Sequence, residues 1–117
     1  MIRKLTMVAT LVAAALVLVT PALSAPKATV VNVTAGKPSE LKFTVSKKTV
    51  AKGSVTFKVT NKGALEHDFK IGGKVTKKIK AGKTATLTVT LKAGKAAYLC
   101  TVPGHAAAGM KGTITVK

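Results

Sequence analysis

The sequence predicts an all-β domain, either a sandwich or a barrel built from short strands. Residues 41–45, 55–60 and 87–91 alternate apolar with polar side chains, and residues 114–117 end the chain with the same pattern. A period of two with many Val and Thr residues is typical of strands that bury one face. Past the N-terminal segment, no stretch carries a helical period. Turn signals recur roughly every ten residues, as expected for short strands; they are the glycines Gly53, Gly63, Gly72, Gly73, Gly82, Gly94 and Gly104.

The N-terminal segment, residues 1–24, is predicted to be a secretory signal peptide. A positively charged start is followed by an uncharged apolar run over residues 5–20 and then by small residues,. Cleavage is expected after Ser24 or Ala25, and Ser24 is preferred because Ala22 and Ser24 form a small-x-small pair. An uncleaved membrane anchor is the alternative, although the run is shorter than the roughly 20 residues that span a bilayer. Residues 25–117 then form one domain, exported to the periplasm or secreted.

The domain is strongly basic, which limits its possible partners. The whole chain has 20 Lys and Arg residues against three Asp and Glu, a formal net charge of +17. Nucleic acid is not expected as a partner, because arginine is absent beyond Arg3 and few aromatic residues are available for stacking,. We expect a monomer without stable membrane insertion after signal removal, whose lysines steer partners with acidic surfaces. Adhesion to anionic surfaces is an alternative.

The strongest functional signal is a Cys-x4-His-x4-Met motif near the C-terminus, formed by Cys100, His105 and Met110. Cys100 is the only cysteine, and His67 is the only other histidine. Thiolate, thioether and two imidazoles form the soft donor set of a blue-copper centre. The sequence therefore predicts one copper ion per chain, bound by His67, Cys100, His105 and Met110.

The strand pattern also predicts where the first of these donors points. His67 has the same phase as Phe69 and Ile71, so we expect it to begin a strand and to face the core, with Asp68 and Lys70 on the other side,.

Cys100 is predicted to meet His67 at one end of the domain. It has the same phase as Tyr98 and is expected to end an inward-facing strand,. The following loop, residues 101–110, would then close over that end and bring His105 and Met110 to it.

Zinc binding and catalysis by a cysteine nucleophile are the two alternative chemistries for these residues. Zinc usually takes four Cys or His ligands in structural sites, and this chain offers only three, with a thioether as the fourth candidate,. A nucleophilic Cys-His enzyme would need an exposed thiol beside its base and an oxyanion hole. A cysteine within a strand suits that role poorly, so we expect no enzymatic activity.

From about residue 41 to the C-terminus, the chain resembles the cupredoxins, the small blue copper proteins that include plastocyanin, azurin and rusticyanin. The resemblance rests on these residues: Asn61-x-Gly63, His67-x-Phe69, Gly82, Tyr98-x-Cys100, Pro103-Gly104-His105, Gly109-Met110 and Gly112-Thr113-Ile114.

The resemblance implies a Greek-key β-sandwich with three equatorial copper ligands, His67, Cys100 and His105, and Met110 as the weak axial ligand. It also implies a carrier of single electrons between redox proteins, with copper buffering or delivery as the alternative role. Asp68 replaces the Asn that many members carry after the first histidine, and it retains the ability to accept a hydrogen bond from a backbone N–H of the ligand loop. Leu99 replaces the aromatic residue that precedes the cysteine in plastocyanin.

Overall fold

The computed structural model describes Ala15 and residues 28–117, so the predicted signal peptide, apart from Ala15, lies outside the described residues. Within this described part the chain forms strands and turns without any α-helix, and no helix there is long and apolar enough to cross a membrane. Its strands are β1 (Thr29–Ala35), β2 (Phe43–Val45), β3 (Thr49–Val50), β4 (Gly53–Asn61), β5 (Lys70–Ile71), β6 (Lys74–Val75), β7 (Thr84–Leu91), β8 (Gly94–Leu99) and β9 (Lys111–Val116).

The strands form two sheets. One sheet has the order β2-β1-β4-β7, and the other has the order β3-β9-β8-β5-β6. Both are mixed, because β1 pairs parallel with β4 and β3 pairs parallel with β9, while the remaining pairs are antiparallel. The predicted fold class, an all-β Greek-key sandwich, is confirmed.

The two strands with the clearest alternation in the sequence, β4 and β7, pair with each other. Val55, Phe57 and Val59 of β4 are completely buried. On the opposite face, hydroxyl groups of the two strands form hydrogen bonds across the pair, over 3.0 Å between Thr56 and Thr88. One face therefore contributes to the core and the other is polar, as the period of two predicts.

All four aromatic residues of the chain pack together between the sheets. Phe43 and Phe57 both contact the ring of Phe69, with centroids 5.4 and 5.2 Å apart, and Tyr98 lies 5.3 Å from the same ring. Gly112 pairs with Tyr98 across β8 and β9, and a Cβ atom at Gly112 would collide with the tyrosine ring. The aromatic cluster is thus part of the core, and it includes Tyr98, which lies two residues before Cys100 in the chain.

The structure corrects two local predictions around His67. The prediction that His67 begins a regular strand is wrong: β5 contains only Lys70–Ile71, and His67 forms a single antiparallel bridge with Ile79. The prediction that Asp68 faces away from the interior is also wrong, because Asp68 is 1% exposed. Regular alternation fails here because hydrogen bonds draw the Asp68 side chain inward.

Candidate metal centre

The four candidate ligands come from two segments at one end of the sandwich, the segment that carries His67 and the loop between β8 and β9. The backbone N–H of His67 donates to the carbonyl of Ile79 over 3.1 Å, which fixes the first segment. Cys100 directly follows β8, and Met110 directly precedes β9. The Cys100 N–H donates to the Met110 carbonyl over 3.1 Å, and the Met110 N–H donates to the His105 carbonyl over 3.0 Å. These bonds fold the loop from 100 to 110 back on itself.

Three donor atoms form a compact triangle. The Nδ1 atoms of His67 and His105 are 3.2 Å apart, and the Sγ atom of Cys100 lies 4.0 Å from the first and 3.5 Å from the second. A point in the plane of these atoms lies about 2.1 Å from all three, close to the metal–imidazole distance of about 2.0–2.1 Å. The three donor atoms are therefore close enough together for one metal ion to bind all of them. Met110, the fourth candidate, is completely buried.

The donors are embedded to different depths. His67 and Cys100 are 0% and 1% exposed, whereas His105 is half-buried. Burial and the nearby His67 lower the pKa of His105, which favours the neutral imidazole that a metal needs,. Burial raises the pKa of the Cys100 thiol. Backbone N–H groups partly oppose this rise, and the nitrogen of one of them, in Asp68, lies 3.5 Å from Sγ. A metal must therefore displace the thiol proton when it binds.

Asp68 connects the segment that carries His67 to the loop that carries the other donors. The backbone N–H of Thr101 donates to its Oδ1 over 2.6 Å, and the Thr101 hydroxyl donates to Oδ2. The Lys78 ammonium also donates to Oδ2, over 2.5 Å. Burial acts to raise the pKa of Asp68, but the bonds from Lys78 and Thr101 outweigh it, and the pKa lies below its usual value. The expectation that Asp68 binds a backbone N–H of the ligand loop is confirmed.

Glu40 approaches the centre from the connection between β1 and β2. Its Oε1 atom lies 3.2 Å from Nε2 of His67, on the side of the ring away from the donor triangle. The same carboxylate accepts hydrogen bonds from the backbone N–H groups of Leu65, over 2.6 Å, and Ala64, over 3.0 Å. These two N–H groups are the main reason that the pKa of Glu40 is lowered.

Asn61 holds the same segment from within the core. Its Nδ2 donates to the carbonyls of Leu65 and Ile79, each over 2.8 Å, and its Oδ1 accepts from the N–H of Gly63 over 2.9 Å. The chain from β4 to His67 is thus fixed by hydrogen bonds from the buried side chain of Asn61. The sequence indicated Asn61 only through a family pattern.

Glu40 and Lys78 were not predicted as parts of the site. A signal for Glu40 existed, since it is one of only three acidic residues in a lysine-rich chain. Lys78 could not be separated from the other lysines by sequence alone.

The fold and this donor cluster together define a class: small β-sandwich proteins with a mononuclear copper site at one end. The sequence matches the cupredoxin-like domain family over residues 7–116, and the chain belongs to that family. No curated protein sequence matches it. The predicted resemblance is therefore confirmed, and so is the copper cofactor, which the family and the His67–Cys100–His105 cluster both support.

Solved structures with the same fold include two kinds of small protein. Rusticyanin in its reduced form superposes with a TM-score of 0.68 at 25% identity, covering 80% of this chain and 81% of that one. Rusticyanin from Thiobacillus ferrooxidans is 29% identical, with a TM-score of 0.62 and coverage of 80% and 79%. Dithionite-reduced auracyanin from Roseiflexus castenholzii is 25% identical, with a TM-score of 0.62 and coverage of 76% and 96%.

Proposed function

We propose that this chain is an exported type 1 copper protein that carries single electrons between larger redox proteins. His67, Cys100 and His105 would hold the copper ion, and Met110 would be a fourth, weaker ligand. The observation that carries this proposal is the donor triangle, whose three atoms lie about as far from a common point as metal–ligand bonds require,. The redox role is supported by the related rusticyanin and auracyanin, each of which was solved in a reduced form.

The protein contributes a preorganised frame for the metal. When bound, copper supplies a one-electron Cu(II)/Cu(I) couple. His67 is fixed by its bridge with Ile79, Cys100 by its bond to the Met110 carbonyl, and the two segments are joined through Asp68. Donors held by hydrogen bonds from buried neighbours move little between oxidation states. Little reorganisation on electron transfer is what a carrier needs.

His105 is the proposed route for electrons to and from partners. It is the most exposed of the three donors in the triangle, and the neighbouring loop residues 102–109 include no charged side chain. A partner can therefore approach the imidazole closely over an uncharged surface. Lys78 reaches this region through its bond to Thr101, over 2.9 Å, and lines a depression with Lys77, Lys80 and Lys83. These lysines favour a redox partner with an acidic docking surface.

Copper buffering or delivery is the second candidate function. It is favoured by the same partial exposure of His105, because a ligand of an accepting protein can reach that edge of the site. Reversible voltammetry with slow loss of copper to a chelator supports the carrier. Rapid loss to the chelator supports copper handling.

The test of the metal site is the colour that follows addition of Cu(II) to the purified apoprotein. We expect one equivalent to produce an intense blue thiolate-to-copper band. Cys100→Ser should abolish this band while the domain stays folded, because a hydroxyl cannot replace the thiolate and the apolar packing between the two sheets does not depend on copper,. Circular dichroism of the variant is the control for folding. A wild-type protein that stays colourless, or a blue Cys100→Ser variant, would overturn the type 1 assignment.

A further inference from the structure

We propose that Glu40 is a positioning residue of the metal centre, which orients the His67 ring and lowers the reduction potential of the site. The proposal rests on the proposed function only in that it takes His67 to be a ligand. Its basis is the contact between the Glu40 carboxylate and Nε2 of His67, which are 3.2 Å apart. The His67 side chain that makes this contact is completely buried.

The contact determines which ring nitrogen of His67 is free to bind metal. A carboxylate is only an acceptor, so Nε2 must be the donor in the bond to Glu40. The neutral ring then carries its lone pair on Nδ1, the atom that lies 3.2 Å from Nδ1 of His105 and 4.0 Å from Sγ of Cys100. Glu40 therefore selects the tautomer that presents a donor to the triangle, which is the general role of a carboxylate behind a metal-bound histidine.

Glu40 is itself held in place. The two backbone N–H groups of Ala64 and Leu65 fix both of its carboxylate oxygens. Since these residues directly precede Glu66 and His67 in the chain, Glu40 joins the β1–β2 connection to the segment that delivers the ligand. A fixed carboxylate can orient the ring in a way that a mobile side chain cannot.

The two acidic groups next to the centre differ in how their charge is compensated. The carboxylate of Asp68 lies 2.5 Å from the Lys78 ammonium. Within residues 28–117, the ion pairs include no lysine within 4.0 Å of Glu40, whose only such partner is His67. The negative charge of Glu40 thus acts on the ligand itself. A more basic imidazole stabilises Cu(II) over Cu(I), so this charge lowers the reduction potential.

Gly63 provides the space that this arrangement needs. A Cβ atom at Gly63 would lie 2.5 and 2.8 Å from the two carboxylate oxygens of Glu40. The backbone of Gly63 is not in the left-handed region, so alanine is compatible with its conformation. Gly63→Ala should therefore push the carboxylate out of this position and away from His67 without changing the net charge.

Three variants separate the charge of Glu40 from its position. Glu40→Gln removes the charge at nearly constant size, and Gly63→Ala displaces the carboxylate while keeping the charge. Glu66→Gln is the matched control, because it removes one charge from an exposed residue adjacent to His67. The potentials of the copper-loaded proteins are measured by voltammetry. The tautomer of His67 in the apoproteins is measured by ¹⁵N NMR of the ring nitrogens.

We expect Glu40→Gln and Gly63→Ala each to weaken Cu(II) relative to Cu(I) by about 10-fold. That change corresponds to a rise in potential of about 59 mV for a one-electron couple. Glu66→Gln should give a clearly smaller rise. In the apoprotein, wild-type His67 should carry its proton on Nε2, and Gly63→Ala should shift the population toward the Nδ1–H form.

The proposal is overturned if both variants change the potential no more than Glu66→Gln does, or if wild-type apoprotein carries the His67 proton on Nδ1. The NMR measurement needs no copper. If the protein never turns blue with Cu(II), the metal assignment is wrong. The NMR spectrum of the same apoprotein still tests the bond between Glu40 and His67, so the two failures are distinguishable.

Discussion

The two histidines of the centre lie in very different surroundings. His67 is completely buried, forms a backbone bridge with Ile79 and contacts a carboxylate through its second ring nitrogen. His105 is half-buried in a loop of turns, and among residues 28–117 its side-chain hydrogen bonds go only to His67 and Cys100. One imidazole is therefore part of the protein framework, and the other forms the boundary between the centre and its surroundings.

This difference indicates a division of roles. The framework around His67 fixes the geometry and the electrostatics of the site, because Glu40, Asn61 and Ile79 all act on its segment. The region around His105 fixes access, because small uncharged residues surround it. Changes on the His67 side should therefore alter the properties of the metal, and changes on the His105 side should alter exchange with partners.

Removing each imidazole in turn is the strongest test of this comparison. We expect His67→Gly and His105→Gly both to lose the blue band of the copper-loaded protein entirely. Added imidazole should restore the band in His105→Gly, because the half-buried position opens a gap toward solvent. It should not restore the band in His67→Gly, where the gap is enclosed. Titration with imidazole, followed by visible absorption, measures the difference, and equal recovery in both variants would contradict it.

Cutting the connection between the two regions should cost stability. Asp68→Ala removes the acceptor of the Thr101 N–H and hydroxyl groups and the partner of the Lys78 ammonium. Hydrogen bonds to a charged group contribute about 1.5–3 kcal/mol, and we expect the free energy of unfolding of the apoprotein to fall by about that amount. Urea denaturation measures it. The control is Glu66→Ala, which removes an exposed acid and should change the free energy of unfolding by no more than about 0.5 kcal/mol,. Equal losses in the two variants would mean that Asp68 does not stabilise the connection between the two segments.

Met110 belongs to the same loop as His105 but lies completely inside, so its replacement should change the potential without opening the site. Met110→Leu removes a weak donor and should raise the potential. Met110→Gln offers a harder oxygen that favours Cu(II) and should lower it. We expect shifts on the order of 59 mV, a tenfold change in relative affinity. Voltammetry that gave no ordered series from Gln through Met to Leu would remove Met110 from the ligand set.

The smallest effect is expected from a charge on the surface beside His105. Ala107→Glu should slow electron transfer to any partner several-fold and leave the blue spectrum unchanged, because it disturbs docking and not the ligands. Ala93→Glu is the matched control, an equally exposed alanine at the opposite end of β8. Stopped-flow rates with an acidic cytochrome measure both, and rates should also fall as salt screens the lysines. Equal rates in the two variants would place the docking surface elsewhere.

The sequence alone predicted the parts of this molecule that follow a local rule. Alternation identified the cores of β4 and β7, and the rarity of Cys and His identified the donors. It failed at Asp68, because a buried carboxylate with three hydrogen bonds breaks the alternation that governs regular strands. It did not identify Glu40, whose contact with His67 joins residues 27 positions apart. Such contacts depend on how the fold arranges its loops, so they cannot be predicted from a local sequence pattern.

Three of the four donors lie close together in the sequence, so the chain can bind copper before folding is complete. Cys100, His105 and Met110 lie within one short segment, so an unfolded chain keeps these three donors near one another. Any ligand that also binds the unfolded chain stabilises the native state by less than its full affinity. His67 comes from a distant segment and joins the others only in the folded protein. Copper therefore stabilises the folded protein over the unfolded chain through the part of its affinity that requires His67.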